Sequence, residues 1–142
     1  MIGFYTKEIN FNLKSRRTLK NWMKQVIENH GGKCKDINIV LCSDSFLLDM
    51  NRQFLGHDYY TDIITFDYCE ENEISGELYI SIDTVKANAV EYGEPFLTEL
   101  HRVIIHGVLH LLGFDDHTDK DISKMRAAEN ESLVLLKSYL NK

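Results

Sequence analysis

The spacing of apolar residues along the chain predicts both helices and strands. The clearest helical pattern lies within residues 16–30, where apolar residues recur every three or four positions: Leu19, Trp22, Met23, Val26 and Ile27. Ser15 is placed to cap this helix, and the glycine pair at 31 and 32 ends it. A second helix is predicted to begin at Ser43 or Asp44 and to continue to about Leu55.

Four short runs rich in β-branched and aromatic residues predict strands: residues 2–5, 37–42, 61–67 and 76–82. The last two flank an acidic loop at 69–75, and we expect them to be neighbours in one sheet. Alternation along 61–67 predicts one face with Asp62, Ile64 and Phe66 and another with Thr61, Ile63 and Thr65.

The second half of the chain is predicted to be mainly helical. A helix over 84–92, capped by Asp83 or Thr84, is followed by a long helix over about 96–112 that stops at Gly113. Thr118 and Asp121 form a capping-box pattern for a last helix to about 139. The mixed order of elements predicts an α+β or α/β sandwich. Without repeats or linkers, one domain over 1–142 is expected.

Composition fits an ordinary globular protein, with 44% hydrophobic and 27% charged residues. The absence of a long apolar run and of a signal-peptide pattern predicts a cytoplasmic chain that does not enter a membrane. Three cysteines without a CxxC pair predict buried, reduced thiols. The net charge of −6 hides an asymmetry, because residues 1–35 carry eight basic and two acidic residues. That basic end is either a solvated helix face or a contact for a phosphate-bearing partner.

One segment, HGVLHLLGFDDH, carries residues for metal chemistry. His106 and His110 stand four residues apart in a predicted helix, so both imidazoles lie on one face. Gly113 allows the chain to turn back after the helix, and Asp116 and His117 follow as candidates for a third ligand. Three protein ligands and an open fourth position are typical of a catalytic zinc site, so one Zn²⁺ is predicted.

The spacing of these residues also suggests a small metallopeptidase of the metzincin type. Such enzymes carry a glutamate after the first histidine as general base, whereas this chain has Gly107. A peptidase is therefore a weaker alternative. We interpret Gly107, which lowers helix stability, as a sign that space is needed beside the metal.

Together with TDIITF, the block GELYIS at 76–81 and LDMN at 48–51, this histidine segment resembles the YbeY family of bacterial endoribonucleases. The resemblance implies an α+β domain with a mixed, mostly parallel four-stranded sheet covered by helices. It further implies one zinc ion on a long central helix, and a role in 16S rRNA 3′-end maturation and ribosome quality control. The implied partners are single-stranded rRNA and small-subunit ribosomal proteins.

The sequence departs from the family pattern at the third metal ligand. The family places a histidine at the position of Asp116, whereas here His117 is one residue later. Either residue completes the predicted site, with a slight preference for His117, because histidine is the commoner ligand.

A second departure lies in the loop before TDIITF. The family arginine linked to activity corresponds to Leu55, and the usual proline corresponds to Tyr60. Arg52 is a candidate substitute for the arginine, or a structural partner of Asp62. His57 in the same loop is interpreted as a surface histidine near the groove.

The function expected from these features is metal-dependent cleavage of single-stranded RNA. The general acid and base are not identified; Asp115 and the unused member of Asp116 and His117 are candidates. Four tyrosines provide either stacking surfaces for unpaired bases or packing: Tyr59, Tyr60, Tyr68 and Tyr79. The main alternative is a non-catalytic, zinc-stabilised ribosome assembly factor.

Overall fold

A four-stranded sheet with strand order β1-β2-β4-β3 organises the computed structural model, which describes residues 1–141. The strands are β1 (Ile2–Lys7), β2 (Lys33–Cys42), β3 (Ile63–Asp67) and β4 (Glu73–Ser81). Over the same residues the helices are α1 (Arg16–Asn29), α2 (Asp44–Leu55), α3 (Ile82–Tyr92), α4 (Phe96–Leu111) and α5 (Asp119–Leu140). β2 runs parallel to β1 and β4, and β3 is antiparallel to β4. The predicted α+β fold with a mixed, mostly parallel sheet is confirmed.

The two faces of the sheet are covered unequally. On one face α1 and α4 bury a large core with the apolar side chains of the strands, and α5 packs outside them. Trp22 of α1 is fully buried and donates its indole N–H to the carbonyl of Ser132 in α5 at 2.7 Å. On the other face a smaller cluster with Leu47 of α2 covers the sheet around Ile64. The predicted metal ligands His106 and His110 lie on α4, in the layer that contains the larger core.

Two of the predicted helix starts are confirmed by their hydrogen bonds. Ser43 precedes α2, and its hydroxyl accepts from the amide of Phe46 at 3.1 Å. Thr118 and Asp121 form the reciprocal capping box at the start of α5. These side chains satisfy amides that have no partner within the helix, which fixes where each helix begins.

The caps of two other helices differ from the prediction. Ser15 occupies the N-cap position of α1, as predicted, but it has φ 62° and its side chain makes no capping hydrogen bond. For α3 the cap is Ser81, whose hydroxyl accepts from the amide of Thr84, so neither Asp83 nor Thr84 caps this helix. β4 runs directly into α3, and its last residue serves as the cap.

Strand boundaries differ from the prediction because pairing extends some strands beyond their apolar runs. β2 begins at Lys33, where it pairs with Glu73 before an irregularity in the register between Cys34 and Ile37. β4 likewise begins at Glu73, within the segment predicted to be an acidic loop. β3 begins at Ile63 instead of residue 61, which leaves Asp62 outside the alternating pattern.

The cysteines are unpaired, as predicted, although only Cys42 is buried and Cys34 and Cys69 are partly exposed. Burial, with nearby carboxylates, raises the pKa of the Cys42 thiol to about 12. None of the helices in residues 1–141 is long and apolar enough to span a bilayer.

Candidate metal centre

Helix α4 carries the two histidines of the candidate site near its carboxyl end. Its apolar side chains anchor it in the core, with Ile104, Ile105 and Val108 fully buried. His106 and His110 are partly exposed, and their Nε2 atoms are 3.1 Å apart. Two imidazoles one helical turn apart thus converge on a single point, as the spacing predicted.

The chain after α4 brings a carboxylate to the same point. Gly113 has φ 100°, a backbone conformation that favours glycine, and reverses the chain after the helix. The Oδ2 atom of Asp116 then lies 3.6 Å from His106 Nε2 and 3.4 Å from His110 Nε2. The structure therefore brings His106, His110 and Asp116 together, with their ligand atoms within 4.8 Å of one another.

His117 does not join this group among the residues that the structure describes. It is exposed in the turn before α5. His101 lies outside the group as well: it is buried with its ring edge-to-face against Trp22, and burial lowers its pKa. Two histidines and one aspartate are therefore the donors that the fold places together.

The spacing of the three donor atoms fits a zinc ion. Ligands at 2.0–2.1 Å from a tetrahedral ion lie about 3.3 Å from each other. The observed edges of 3.1, 3.4 and 3.6 Å bracket that value. Such a triangle forms one face of a tetrahedron and leaves the fourth position open.

Glu129 of α5 contacts the ring nitrogen of His106 that faces away from the other two donors. Its Oε2 lies 2.7 Å from Nδ1 of His106, and its Oε1 accepts from Arg102 at 3.1 Å and pairs with Arg126 at 3.3 Å. Burial alone lowers the pKa of His106, but the hydrogen bond and charge of Glu129 outweigh it, so the pKa is raised. Burial likewise raises the pKa of Glu129, but His106 and the arginines lower it overall. A proton on Nδ1 leaves Nε2 free to bind metal.

Two further carboxylates line a small cavity next to Glu129. Asp62 was predicted to share a face with Ile64 and Phe66, but it precedes β3 and lines the cavities around His106. Burial raises the pKa of Asp62, and the charge of His106 opposes that shift. Glu99 is 4% exposed, its Oε1 has no hydrogen-bond partner, and burial raises its pKa as well.

Gly107 serves the packing of α4 on the sheet. A Cβ atom at this position would lie 2.8 Å from Cδ1 of Ile63 and 2.9 Å from both Cδ atoms of Leu78. The interpretation that Gly107 leaves space beside the metal is therefore wrong, because the position faces β3 and β4. A glutamate there would point into the core and could not act as a base at the histidines.

The three donors lie in an open cavity of about 540 Å³ between α4, β3 and the loop 56–62. His57, Tyr59 and Thr61 line it from the loop, and Leu55 lines it from the end of α2. Its charged lining includes Asp62, Asp67, Asp115 and Asp116 but, among the described residues, no lysine or arginine.

Comparison with known proteins assigns the chain to a family. The sequence model described as Endoribonuclease YbeY matches residues 2–137. This chain belongs to the YbeY family. The endoribonuclease YbeY of Phocaeicola vulgatus is 46% identical over 136 residues, covering 96% of this chain and 99% of that protein. The Parabacteroides distasonis protein of the same name is 46% identical over 135 residues, covering 95% of each.

A solved structure shares the fold of this chain. The solution structure of a Thermotoga maritima protein superposes with a TM-score of 0.66 at 29% identity, covering 97% of this chain and 93% of that one. The resemblance inferred from the histidine segment and TDIITF is confirmed.

Arg52 is not placed to take the role of the arginine that the resemblance implied at the position of Leu55. The Arg52 guanidinium pairs with Asp58 and approaches Asp49, all on the surface, so the alternative in which Arg52 pairs with Asp62 is wrong. Arg52 also does not line the cavity. Sequence reasoning missed Glu129 and Arg102, because neither lies near the histidine segment in the chain.

Proposed function

We propose that this chain is a zinc-dependent endoribonuclease that cleaves single-stranded RNA; its YbeY relatives are named endoribonucleases. The observation that carries the proposal is the triangle of His106, His110 and Asp116 in the floor of an open cavity. We assign it to 16S rRNA 3′-end maturation and ribosome quality control in the cytoplasm, with small-subunit ribosomal proteins as further partners.

The donor set favours zinc over magnesium and calcium. Imidazole nitrogen suits zinc, whereas magnesium and calcium prefer all-oxygen ligands. When bound with one open position, zinc polarises a phosphate oxygen and lowers the pKa of a water molecule. The chain's own residues orient the site: Glu129 fixes the ring of His106, and Gly113 directs Asp116 towards the histidines.

We propose Asp116 as the third ligand in place of His117. Its carboxylate already lies within 3.4–3.6 Å of both Nε2 atoms, whereas His117 is exposed outside the group. A carboxylate reduces the net charge of the site and weakens the acidification of bound water compared with histidine. His117 and Asp115 then remain candidates for proton transfer.

The RNA path does not depend on the basic N-terminal segment. Residues 1–35 include β1, which forms the sheet edge opposite to β3, and none of their lysines or arginines lines the cavity. Contacts with RNA at the cavity therefore come from the metal and from uncharged or aromatic side chains. The basic segment remains available for phosphates elsewhere on a ribosomal particle.

A non-catalytic zinc-stabilised assembly factor is the second candidate. Leu55 in place of the family arginine and the acidic cavity lining favour it, because both reduce stabilisation of charge on a phosphate. A metallopeptidase is a weaker third candidate, because Gly107 faces the sheet and provides no base.

The test measures zinc content and RNA cleavage on the same preparations, purified free of host RNases. Wild type is expected to bind one zinc per chain and to cleave single-stranded but not duplex RNA. His110→Ala and Asp116→Ala are expected to lose both properties. His117→Ala is the matched control and is expected to keep its zinc.

The outcomes separate the candidates. Zinc binding without cleavage of any RNA would support the assembly factor and contradict the nuclease. Cleavage that persists in a zinc-free His110→Ala protein would reject the metal mechanism. Loss of zinc in His117→Ala but not in Asp116→Ala would reverse the choice of third ligand.

A further inference from the structure

A stacked pair of aromatic side chains lines the cavity beside the metal group. The rings of His57 and Tyr59 lie 5.1 Å apart at an angle of 19°, and Tyr59 Oη lies 2.9 Å from His57 Nδ1. Both side chains are nevertheless exposed, with Tyr59 at 55%. Exposed aromatic faces that already stack on each other offer a flat surface to a further planar group.

The backbone that carries this pair is held in place by Asn51. The backbone carbonyl of Asn51 accepts from the amide of His57 at 3.1 Å, and its side-chain amide donates to the carbonyl of Tyr59 at 2.8 Å. Asn51 is 1% exposed, so this clamp is part of the folded core. Gly56, with φ 67°, lets the chain leave α2 into the clamp. The two rings are therefore presented by an ordered loop, which reduces the entropy lost on binding.

The charge of the cavity shows which part of RNA the rings would meet. The acidic lining, with Asp62, Asp67 and Asp115 besides the ligand Asp116, disfavours phosphate groups away from the metal. Every base, in contrast, has a π face that stacks on aromatic side chains without regard to charge. Leu55 adds an apolar wall at the end of α2.

We propose that His57 and Tyr59 form a stacking platform for one unpaired base of the RNA, next to the phosphate held at the metal group. The proposal deepens the proposed function, on which it rests for the identity of the substrate. A base held in a duplex is stacked and paired on both sides and cannot lie on the platform. The platform therefore contributes to the preference for single strands.

The test is an abasic scan of binding. A fluorescent oligonucleotide with 2′-O-methyl riboses, shown by gel to stay intact, is titrated with the zinc-loaded protein, and anisotropy gives the dissociation constant. Removal of a single base at the platform position is expected to weaken binding to wild type about 5- to 100-fold, as expected for the loss of one stacked base. Removal of bases elsewhere should have smaller effects.

Variants identify the residues responsible. Tyr59→Ala is expected to weaken binding of the intact strand by a similar factor and to abolish the effect of the missing base. The clamp survives this change, because Asn51 bonds only the backbone of residue 59. Tyr59→Phe keeps the ring and should behave almost as wild type. Tyr60→Ala is the matched control: Tyr60 is 63% exposed in the same loop but does not line the cavity.

The results also distinguish this proposal from the proposed function. If Tyr59→Ala retains the full abasic effect, or if wild type does not bind the strand, the platform is rejected. Cleavage, measured separately on unmodified RNA, decides the nuclease activity. Active wild type with no abasic effect would reject the platform alone, whereas a clear abasic effect without cleavage would retain base binding and reject the nuclease.

Discussion

Replacing Glu129 by glutamine removes a negative charge behind His106 while keeping the size of the side chain. The carboxylate serves three donors, at 2.7 Å from His106, 3.1 Å from Arg102 and 3.3 Å from Arg126. A glutamine offers one carbonyl oxygen, and its NH₂ group would face a second donor. One of these contacts is therefore lost, and Arg102 remains 16% exposed without its counter-ion.

The burial of Glu129 and its contact with His106 set the expected losses of stability and of zinc affinity. Breaking a buried charged pair by removing one partner costs about 3 kcal/mol, because the remaining charge has no compensation. In a chain of this length, that cost lowers the Tm of the metal-free protein by about 10 °C. Loss of a partner that orients a ligating histidine reduces metal affinity by about 10- to 100-fold.

Competition with a chromophoric chelator measures the zinc affinity, and circular dichroism measures thermal unfolding. Glu131→Gln is the matched control, because Glu131 is exposed on the same helix and its replacement changes the net charge equally. A zinc affinity within threefold of wild type, together with an unchanged Tm, would refute the argument that Glu129 orients His106.

Three further predictions concern stability and RNA binding. Burial raises the pKa of Glu99, so the proton bound in the folded state stabilises the protein at acidic pH, and this contribution is lost as pH rises through the folded-state pKa. Glu99→Gln should therefore match wild type near pH 4 and exceed it by about 1 kcal/mol at pH 7 in urea unfolding; equal stability at both pH values would contradict this. Gly76→Ala should destabilise the fold by about 3 kcal/mol, because its Cβ would lie 2.5 Å from the backbone oxygen of Phe66. Gly31→Ala, with open space around it, should cost only about 1 kcal/mol in the same assay. Binding of a short single strand should depend weakly on salt, with a slope for one or two phosphates, because no lysine or arginine lines the described cavity; a steep slope would indicate a different RNA path.

Those parts of the fold that depend on residues close together in the sequence could be predicted. Helical spacing located α1 and α4, and the side chains of Ser43 and Thr118 marked helix starts, because these signals act within a few residues. Strand ends were less predictable: Lys33 and Glu73 pair with each other across the sheet, a contact between distant parts of the chain. The cap of α3 was missed because Ser81 also ends a strand.

The candidate site also contains residues that could be predicted from local sequence and residues that could not. His106 and His110 could be predicted because both belong to one helix, whose geometry fixes their spacing. The choice between Asp116 and His117 could not, because a turn without regular structure decides which side chain points inward. Glu129 lies 23 residues from His106 and meets it only through the packing of α5 on α4. Gly107 was misread because the sequence does not show which side of α4 faces the sheet.

The turn at Gly113 has a consequence for the cost of metal binding. The two imidazoles are fixed by α4, and the turn at Gly113 places the carboxylate of Asp116 beside them before any ion is bound. Little ordering of the chain would then accompany metal uptake, so the free energy of binding would not be reduced by the entropy of closing this turn.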